Sequence, residues 1–168
     1  MSRLRLIDAP EFARLGRVLE GCVPLAEFER LRGGLSDPSG SLQYRIVGVV
    51  DKRGYPALEL DLQARLLVTC QRCLQDLVLP VKVHNRIRLV DSPQDLPLEQ
   101  GDEVLASEED VVAAAGPLDV LAMIEDEMIL VLPLAPRHDQ CALAGAGIVM
   151  RIESPFGVLA RLKKHADR

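Results

Sequence analysis

Aromatic side chains are scarce in this sequence of 168 residues: they make up 3% of the chain, and tryptophan is absent. Proteins that bind single-stranded nucleic acid by base stacking need several aromatic rings on one surface. The composition therefore argues against a stacking platform. Because aromatic residues are so few, the core must come from Leu, Val, Ile and Ala. Hydrophobic residues make up 48% of the chain. This hydrophobic fraction excludes a disordered chain, and the length fits one domain.

Long hydrophobic runs are also missing. No apolar stretch approaches the ~18 residues that cross a bilayer, and the first residues lack the apolar region of a secretory signal. We therefore expect a cytoplasmic protein with no membrane partner. Thiols stay reduced in the cytoplasm, so four cysteines there indicate metal or redox chemistry rather than disulfides. Cys22 stands alone beside an apolar stripe, and we expect it in the core.

Positive charge is absent from one long stretch. Residues 91–127 contain twelve Asp and Glu but no Lys or Arg, so the rest of the chain is net positive although the whole carries −5. No Walker, Rossmann, nucleophile-elbow or zinc-protease motif occurs, and we predict no catalytic residue and no small-molecule substrate. Such charge asymmetry favours an interaction protein.

The hydrophobic period divides the chain into segments. Apolar alternation with period two predicts three strands, and the clearest runs from Leu58 to Val68. We predict an α+β fold in one domain over 1–168, with an antiparallel sheet as its core. Its segments are helical residues 1–40, a sheet over 42–90, an acidic loop over 91–117, a helix over 118–133, and a loop with a terminal helix over 134–168.

Helical spacing gives more detail outside the sheet. Phe12, Leu15, Val18 and Leu19 predict a helix over 10–20, and a second short helix is expected from Pro24 to Leu31. Asp119 is placed to cap the helix that ends near Leu132. We expect Leu121, Ile124, Met128 and Val131 to line its apolar face. An amphipathic pattern predicts the last helix over 155–165.

Cys70-Gln71-Arg72-Cys73 joins two predicted strands. A thioredoxin-type redox pair needs a helix after the motif, and the alternation that follows Cys73 does not supply one. Two thiolates on a tight turn instead form half of a tetrahedral zinc site, and His138 with Cys141 could complete it. The alternative is that these cysteines are reduced and packed in a turn, with His138 on a surface loop. Both interpretations remain open.

A row of basic residues follows the motif. Lys82, His84, Arg86 and Arg88 occupy successive outward positions of one strand, about 6.6 Å apart, which is close to the roughly 6–7 Å between phosphates of a single nucleic-acid strand. We name Lys82, Arg86 and Arg88 as candidate RNA contacts. The same pattern also fits a solvated face or a charge-protected edge strand.

Three consecutive acids occur in the predicted helix at 118–133, namely Glu125, Asp126 and Glu127. Adjacent helical positions diverge, so these carboxylates do not converge on one reacting atom. We expect a solvated face or a docking site for a basic partner.

These segments together resemble the YceD family, the large ribosomal RNA subunit accumulation proteins. The resemblance is carried by Thr69–Leu74, by the stretch Pro117–Pro133 with its DVLAxxEDExILxLP pattern, by Pro136–Cys141, and by Ser154–Lys164. It implies a role in the synthesis, processing or stability of 23S rRNA, without catalysis. Many relatives carry a further CxxC-like pair where this chain has His138 to Cys141.

We therefore expect a ribosome-biogenesis factor that binds rRNA, a pre-ribosomal particle or a basic ribosomal protein, with zinc as its one candidate cofactor. Two alternatives remain: a metal-dependent nuclease or hydrolase, and a zinc-stabilised interaction module without RNA contact. A closed set of zinc ligands would exclude the hydrolase, because a catalytic zinc keeps an open position.

Overall fold

Three long antiparallel strands form the centre of the sheet in the computed structural model, which describes residues 6–95, 110–114 and 116–141. Over these residues the strands are β1 (Leu6–Ile7), β2 (Val18–Pro24), β3 (Ser41–Val50), β4 (Pro56–Thr69), β5 (Asp76–Val90), β6 (Asp110–Ala113) and β7 (Leu118–Asp119). The helices are α1 (Ala9–Arg14), α2 (Glu29–Arg32) and α3 (Val120–Val131), with 3-10 turns at Leu25–Glu27 and Pro93–Asp95. This α+β architecture confirms the predicted fold class.

The large sheet has the strand order β2-β3-β4-β5-β6. Its first four strands pair antiparallel, and β6 joins β5 in parallel. The alternation of β4 is confirmed, because Leu58, Leu60, Leu62 and Leu66 are each 0% exposed. Their face meets the apolar sides of α1 and α3 in one core that includes Phe12, Ile124 and Met128. The opposite face of the sheet carries the polar side chains.

α1 approaches the sheet most closely at Gly48 of β3. A Cβ on Gly48 would lie 2.4 Å from the backbone oxygen of Phe12 and 2.7 Å from the Cα of Ala13. The Gly48 N–H also donates to the Arg17 carbonyl, at 2.8 Å. Only glycine allows the helix backbone to sit directly on the strand here.

The predicted helix over 10–20 is wrong beyond Arg14. α1 ends there, Gly16 takes a positive φ of 60°, and the chain continues as the edge strand β2. Leu15 and Val18 are 57% and 49% exposed, so their helical spacing does not mark a buried face. The position of Cys22 is also corrected: it is exposed on β2 rather than in the core. The hydrogen bonds that β3 offers to residues 18–24 outweigh the helical spacing of their side chains.

The short helical turns before Gly33 agree with the prediction, because Leu25, Phe28 and Leu31 are all buried. Asp119 caps α3 as expected, accepting from the N–H groups of Leu121 and Ala122. The buried face of α3 includes Ile124 and Met128 as predicted, but it also contains Val120 and Glu125, and Val131 is 44% exposed.

The predicted acidic loop over 91–117 contains a strand, since β6 pairs with β5 from Ile87 to Val90. The predicted terminal helix over 155–165 lies outside the described residues. Over the ranges that the structure describes, no helix has the length and apolar character to cross a membrane. The single-domain organisation over 1–168 stays a prediction.

Candidate metal centre

The β4–β5 hairpin extends beyond the body of the sheet. β4 pairs with β5 out to Thr69 and Asp76, whereas β3 leaves β4 at Ala64. We call residues 65–80 the outer end of the hairpin. On the β3 side, the chain before β3 covers part of this end through a bridge between Asp37 and Leu67.

The Cys70–Cys73 motif forms the turn of this hairpin. The Cys70 N–H donates to the Gln75 carbonyl, and the Leu74 N–H donates to the Cys70 carbonyl, each at 2.9 Å. Leu74 has a φ of 61°, a left-handed conformation that glycine adopts much more easily than leucine. The turn thus directs both cysteine side chains to one side at the cost of local backbone strain.

The segment after α3 returns to this turn. The Gln71 N–H donates to the Pro136 carbonyl, at 2.8 Å. This contact brings His138 and Cys141 beside Cys70 and Cys73, although 65 or more residues separate the two pairs in sequence. One ligand atom from each of the four residues lies within 4.8 Å of every other. The predicted grouping of these four residues is therefore present.

The spacing of these atoms fits a tetrahedral zinc site. The Sγ atoms of Cys70 and Cys141 are 3.9 Å apart, and the Sγ of Cys73 is 3.4 Å from Nδ1 of His138. Zinc bond lengths of about 2.3 Å to sulfur and 2.0–2.1 Å to nitrogen require edges of about 3.8 Å and 3.5 Å in a tetrahedron. Both of these distances match the zinc geometry, and every other pair of ligand atoms lies within 4.8 Å.

The orientation of His138 is fixed by its other ring nitrogen. Nε2 lies 3.1 Å from the Asp76 carbonyl oxygen, which can only accept a hydrogen bond. Nε2 therefore carries the proton in the neutral ring, and Nδ1 presents its lone pair toward Cys73. Metal-bound histidines are usually held by such a second hydrogen bond.

The thiols of the cluster differ in acidity. Burial by itself raises the pKa of Cys70, but hydrogen bonds from the backbone N–H groups of Cys73, His138 and Arg72 and from the Cys73 side chain lower it to about 5. Burial and the neighbouring sulfurs of Cys73 and Cys70 raise the pKa of Cys141. Cys70 is thus ready to bind as a thiolate, whereas a metal would displace a proton from Cys141.

Two residues of the basic row of β5 lie beside carboxylates of the neighbouring strand β4. His84 Nδ1 lies 2.8 Å from Asp61, and Arg86 lies 3.9 Å from Glu59. Arg88 packs over the ring of Tyr55, with its guanidinium carbon 5.4 Å from the ring centroid. Lys82 differs, since it lies opposite the neutral Gln63. The four side chains share one face as predicted. Among the described residues, His84 and Arg86 each face a carboxylate, whereas Lys82 and Arg88 have none within ion-pair distance.

The three acids of α3 are used inside the molecule. The Glu125 carboxylate accepts from the N–H groups of Arg30 and Leu31, at 2.7 and 3.1 Å, and pairs with the Arg30 guanidinium. The solvated-face interpretation is wrong at Glu125, which is only 8% exposed because it caps α2. Asp126 pairs with Arg30, at 2.6 Å, and Glu127 accepts from Asn85, at 2.9 Å. Docking through these two residues stays a prediction.

Comparison with protein-family models finds a match to the family described as "Large ribosomal RNA subunit accumulation protein YceD", over residues 58–163. The matched range is more than half of the chain and contains β4 from Leu58 onward, β5, α3 and all four residues of the cluster. The chain belongs to this family. No solved structure matches it. The YceD family description supports a role in ribosome biogenesis, as the resemblance implies.

Two residues of this YceD chain were missed by sequence reasoning. Arg65 lies beside Lys82 on the outward face, because hairpin pairing is symmetric about the Cys70–Cys73 turn. The signal in the sequence is the motif between two predicted strands, because pairing the strands about it places Arg65 diagonal to Lys82. The strained backbone of Leu74 has no sequence signature, since leucine gives no hint of a positive φ.

Proposed function

We propose that this protein is a non-enzymatic, cytoplasmic factor for large-subunit rRNA accumulation whose outer hairpin end is fastened by a structural zinc ion. The observation that carries the proposal is the convergence of Cys70, Cys73, His138 and Cys141 to within 4.8 Å in a chain that belongs to the YceD family. Three sulfur ligands and one imidazole form an ordinary structural zinc set.

The donor set bears on the choice between a structural and a catalytic ion. Four protein ligands fill a tetrahedral zinc ion and leave no position for an activated water. The zinc would then supply no hydrolytic chemistry, and its role would be to hold residues 136–141 against the hairpin turn. This argument supports a binding function over the nuclease or hydrolase alternative.

We propose that the factor acts by contacting rRNA or a pre-ribosomal particle. The exposed polar face of the sheet provides the surface, with Lys82 as the candidate contact that remains most available. Arg86 and Arg88 stay candidates, although Glu59 offsets the charge of Arg86 and the Tyr55 ring covers one face of the Arg88 guanidinium. A basic ribosomal protein that meets Asp126, Glu127 or the acidic segment 91–127 is the second candidate partner.

Two measurements test the proposal. Metal analysis of the full chain purified without chelators is expected to find about one zinc per chain, and a Cys70→Ser/Cys73→Ser variant is expected to lose it. Cys22→Ser is the matched control, because Cys22 is an exposed cysteine outside the cluster. Less than roughly a tenth of an equivalent of zinc in the parent would overturn the metal assignment.

The biological measurement is the level of 23S rRNA in cells that lack the protein and carry each variant. The parent and Cys22→Ser are expected to restore the level, and the double-serine variant is expected to restore it poorly. Crosslinking with sequencing of bound RNA, together with mass spectrometry of co-purified proteins, identifies the partner. Recovery of ribosomal protein without any rRNA crosslink would favour the interaction module over the RNA-binding factor.

A further inference from the structure

One groove on the outward face of the sheet differs from its surroundings in charge. It lies across β3, β4 and β5 and is lined in part by Ser41, Gln43, Gln63, Arg65, Pro80 and Lys82. No carboxylate is among the described residues that line it. The neighbouring depression across β2, β3 and β4 contains Glu20 and Asp61 beside Arg45.

Both cations of the groove are unopposed. Over the part of the chain that the structure describes, neither Arg65 nor Lys82 has a carboxylate within ion-pair distance, in contrast to Arg45, His84 and Arg86. The pairing register explains this, since Lys82 lies opposite Gln63 and Arg65 lies opposite Pro80. The two positive charges therefore remain available to an anionic ligand.

The groove also offers neutral polar groups at fixed positions. Gln43 and Gln63 are directly opposed across β3 and β4, and Gln63 is opposed in turn by Lys82. Opposed side chains lie about 5 Å apart, and Arg65 follows Gln63 on the same face after about 6.6 Å. Amides beside cations suit an RNA strand, because they can bond ribose hydroxyls while the cations meet phosphates.

We propose that this groove, centred on Gln43, Gln63, Arg65 and Lys82, is the contact site for a single-stranded segment of large-subunit rRNA. The inference rests on the proposed function and moves the main contact from the Lys82–Arg88 row toward the outer end of the hairpin. The contact is electrostatic and independent of base sequence. Arg65 and Lys82 each contact one phosphate. Each contact makes the negative slope of log affinity against log salt steeper by about 0.7.

The test measures binding of the full chain to a labelled single-stranded fragment of large-subunit rRNA by fluorescence anisotropy over a salt series. Arg65→Ala/Lys82→Ala is expected to lower the slope by about 1.4, which corresponds to a loss of about 25-fold in affinity at 0.1 M monovalent salt. Lys52→Ala/Arg53→Ala is the matched control, because it removes two exposed cations from the β3–β4 turn, away from the groove. It is expected to bind within about twofold of the parent.

A second variant separates the groove from the rest of β5. Gln63→Glu places a carboxylate between Arg65 and Lys82 and is expected to weaken binding about as much as the double alanine variant, whereas Arg86→Ala is expected to change it little. Circular dichroism and thermal unfolding check that each variant folds. An equal loss for the groove variant and the Lys52/Arg53 control would overturn the groove as the site.

The experiments distinguish a wrong location for the RNA contact from a wrong proposed function. A parent that binds RNA, together with a groove variant that binds equally well, overturns the location and leaves RNA binding intact. A parent that shows no RNA binding overturns the groove, and the rRNA levels in cells then decide separately whether the function stands. Weak RNA binding together with poor rRNA restoration by the groove variant alone supports both.

Discussion

The two ends of the β4–β5 hairpin differ in how fully the apolar side chains of β5 are buried. At the inner end of the hairpin, residues 57–62 pair with residues 83–88. Leu58, Leu60 and Ile87 in this part are at most 3% exposed. At the outer end, Leu66 and Val68 of β4 are also buried, at 0% and 2% exposed, whereas their β5 partners Leu79 and Leu77 are only partly buried. The Cys/His cluster lies next to this partly covered stretch of β5.

This contrast indicates a division of stabilising interactions. Burial of apolar side chains stabilises the inner end without any cofactor. The outer end is fully covered on β4 but only partly covered on β5, and a metal ion bound there would add stability by linking segments that are distant in sequence. The predictions below test the contrast, from the largest expected effect to the smallest.

Metal removal is expected to have the largest effect and to act on one end. A chelator should abolish the exchange protection of the Gln71 amide, which donates to Pro136, and leave the Gly48 amide, which donates to Arg17, protected. If the free zinc concentration before chelation is a thousand times the Kd, its removal should lower the free energy of unfolding by about 4 kcal/mol. Native-state hydrogen exchange measures both amides, and equal loss at the two ends would contradict the division.

Overpacking at Gly48 is expected to affect the inner end. Gly48→Ala forces a Cβ against the backbone of Phe12 and Ala13, and backbone yields less readily than a side chain. We expect a loss of about 3 kcal/mol in the free energy of unfolding, measured in urea, with zinc content unchanged. Gly34→Ala is the control, because its nearest contact would be an ordinary 3.6 Å. A Gly48→Ala variant as stable as Gly34→Ala would show that α1 can move away from β3.

Loss of the Glu125 carboxylate should have a smaller effect. Glu125→Ala leaves the buried Leu31 N–H without its acceptor, and we expect a cost of about 2 kcal/mol. Glu29→Ala, which removes an exposed carboxylate, is expected to cost less than about 0.5 kcal/mol.

The same carboxylate should produce a pH dependence. Although burial opposes it, the hydrogen bonds from Leu31 and Arg30 and the Arg30 charge lower the pKa of Glu125 in the folded protein. Its stabilisation is therefore present above the unfolded pKa, near about 4.3, and is lost as the pH falls through the lower folded value. The stability difference between the parent and Glu125→Gln should shrink with acidification, and a constant difference would exclude this origin.

The smallest effect is expected at the turn. Leu74→Gly relieves the cost of a positive φ for a residue with a Cβ, and it should raise stability by about 1 kcal/mol if the native turn is kept. Thermal unfolding of the zinc-loaded protein measures the change. A destabilised variant would show that the exposed leucine side chain contributes more than its backbone strain costs.

The sequence by itself determined the central sheet and the caps. Strict alternation from Leu58 to Val68 can bury only one face of a strand, and Asp119 has the side chain that caps a helix start. The four clustered ligands were also predictable as a set, because CxxC, His and Cys are typical zinc donors. Their convergence depended on where the chain returned after α3.

Tertiary structure alone decided the remaining features. Val18–Pro24 became a strand because β3 supplied its hydrogen bonds, a partner that local spacing does not show. Glu125 became a buried cap because α2, 95 residues earlier in sequence, presents free N–H groups to it. The charges of Arg86 and Lys82 differ in availability because the register opposes one to Glu59 and the other to Gln63. Local patterns determine which groups a segment offers, whereas packing between distant segments determines which of those groups remain free.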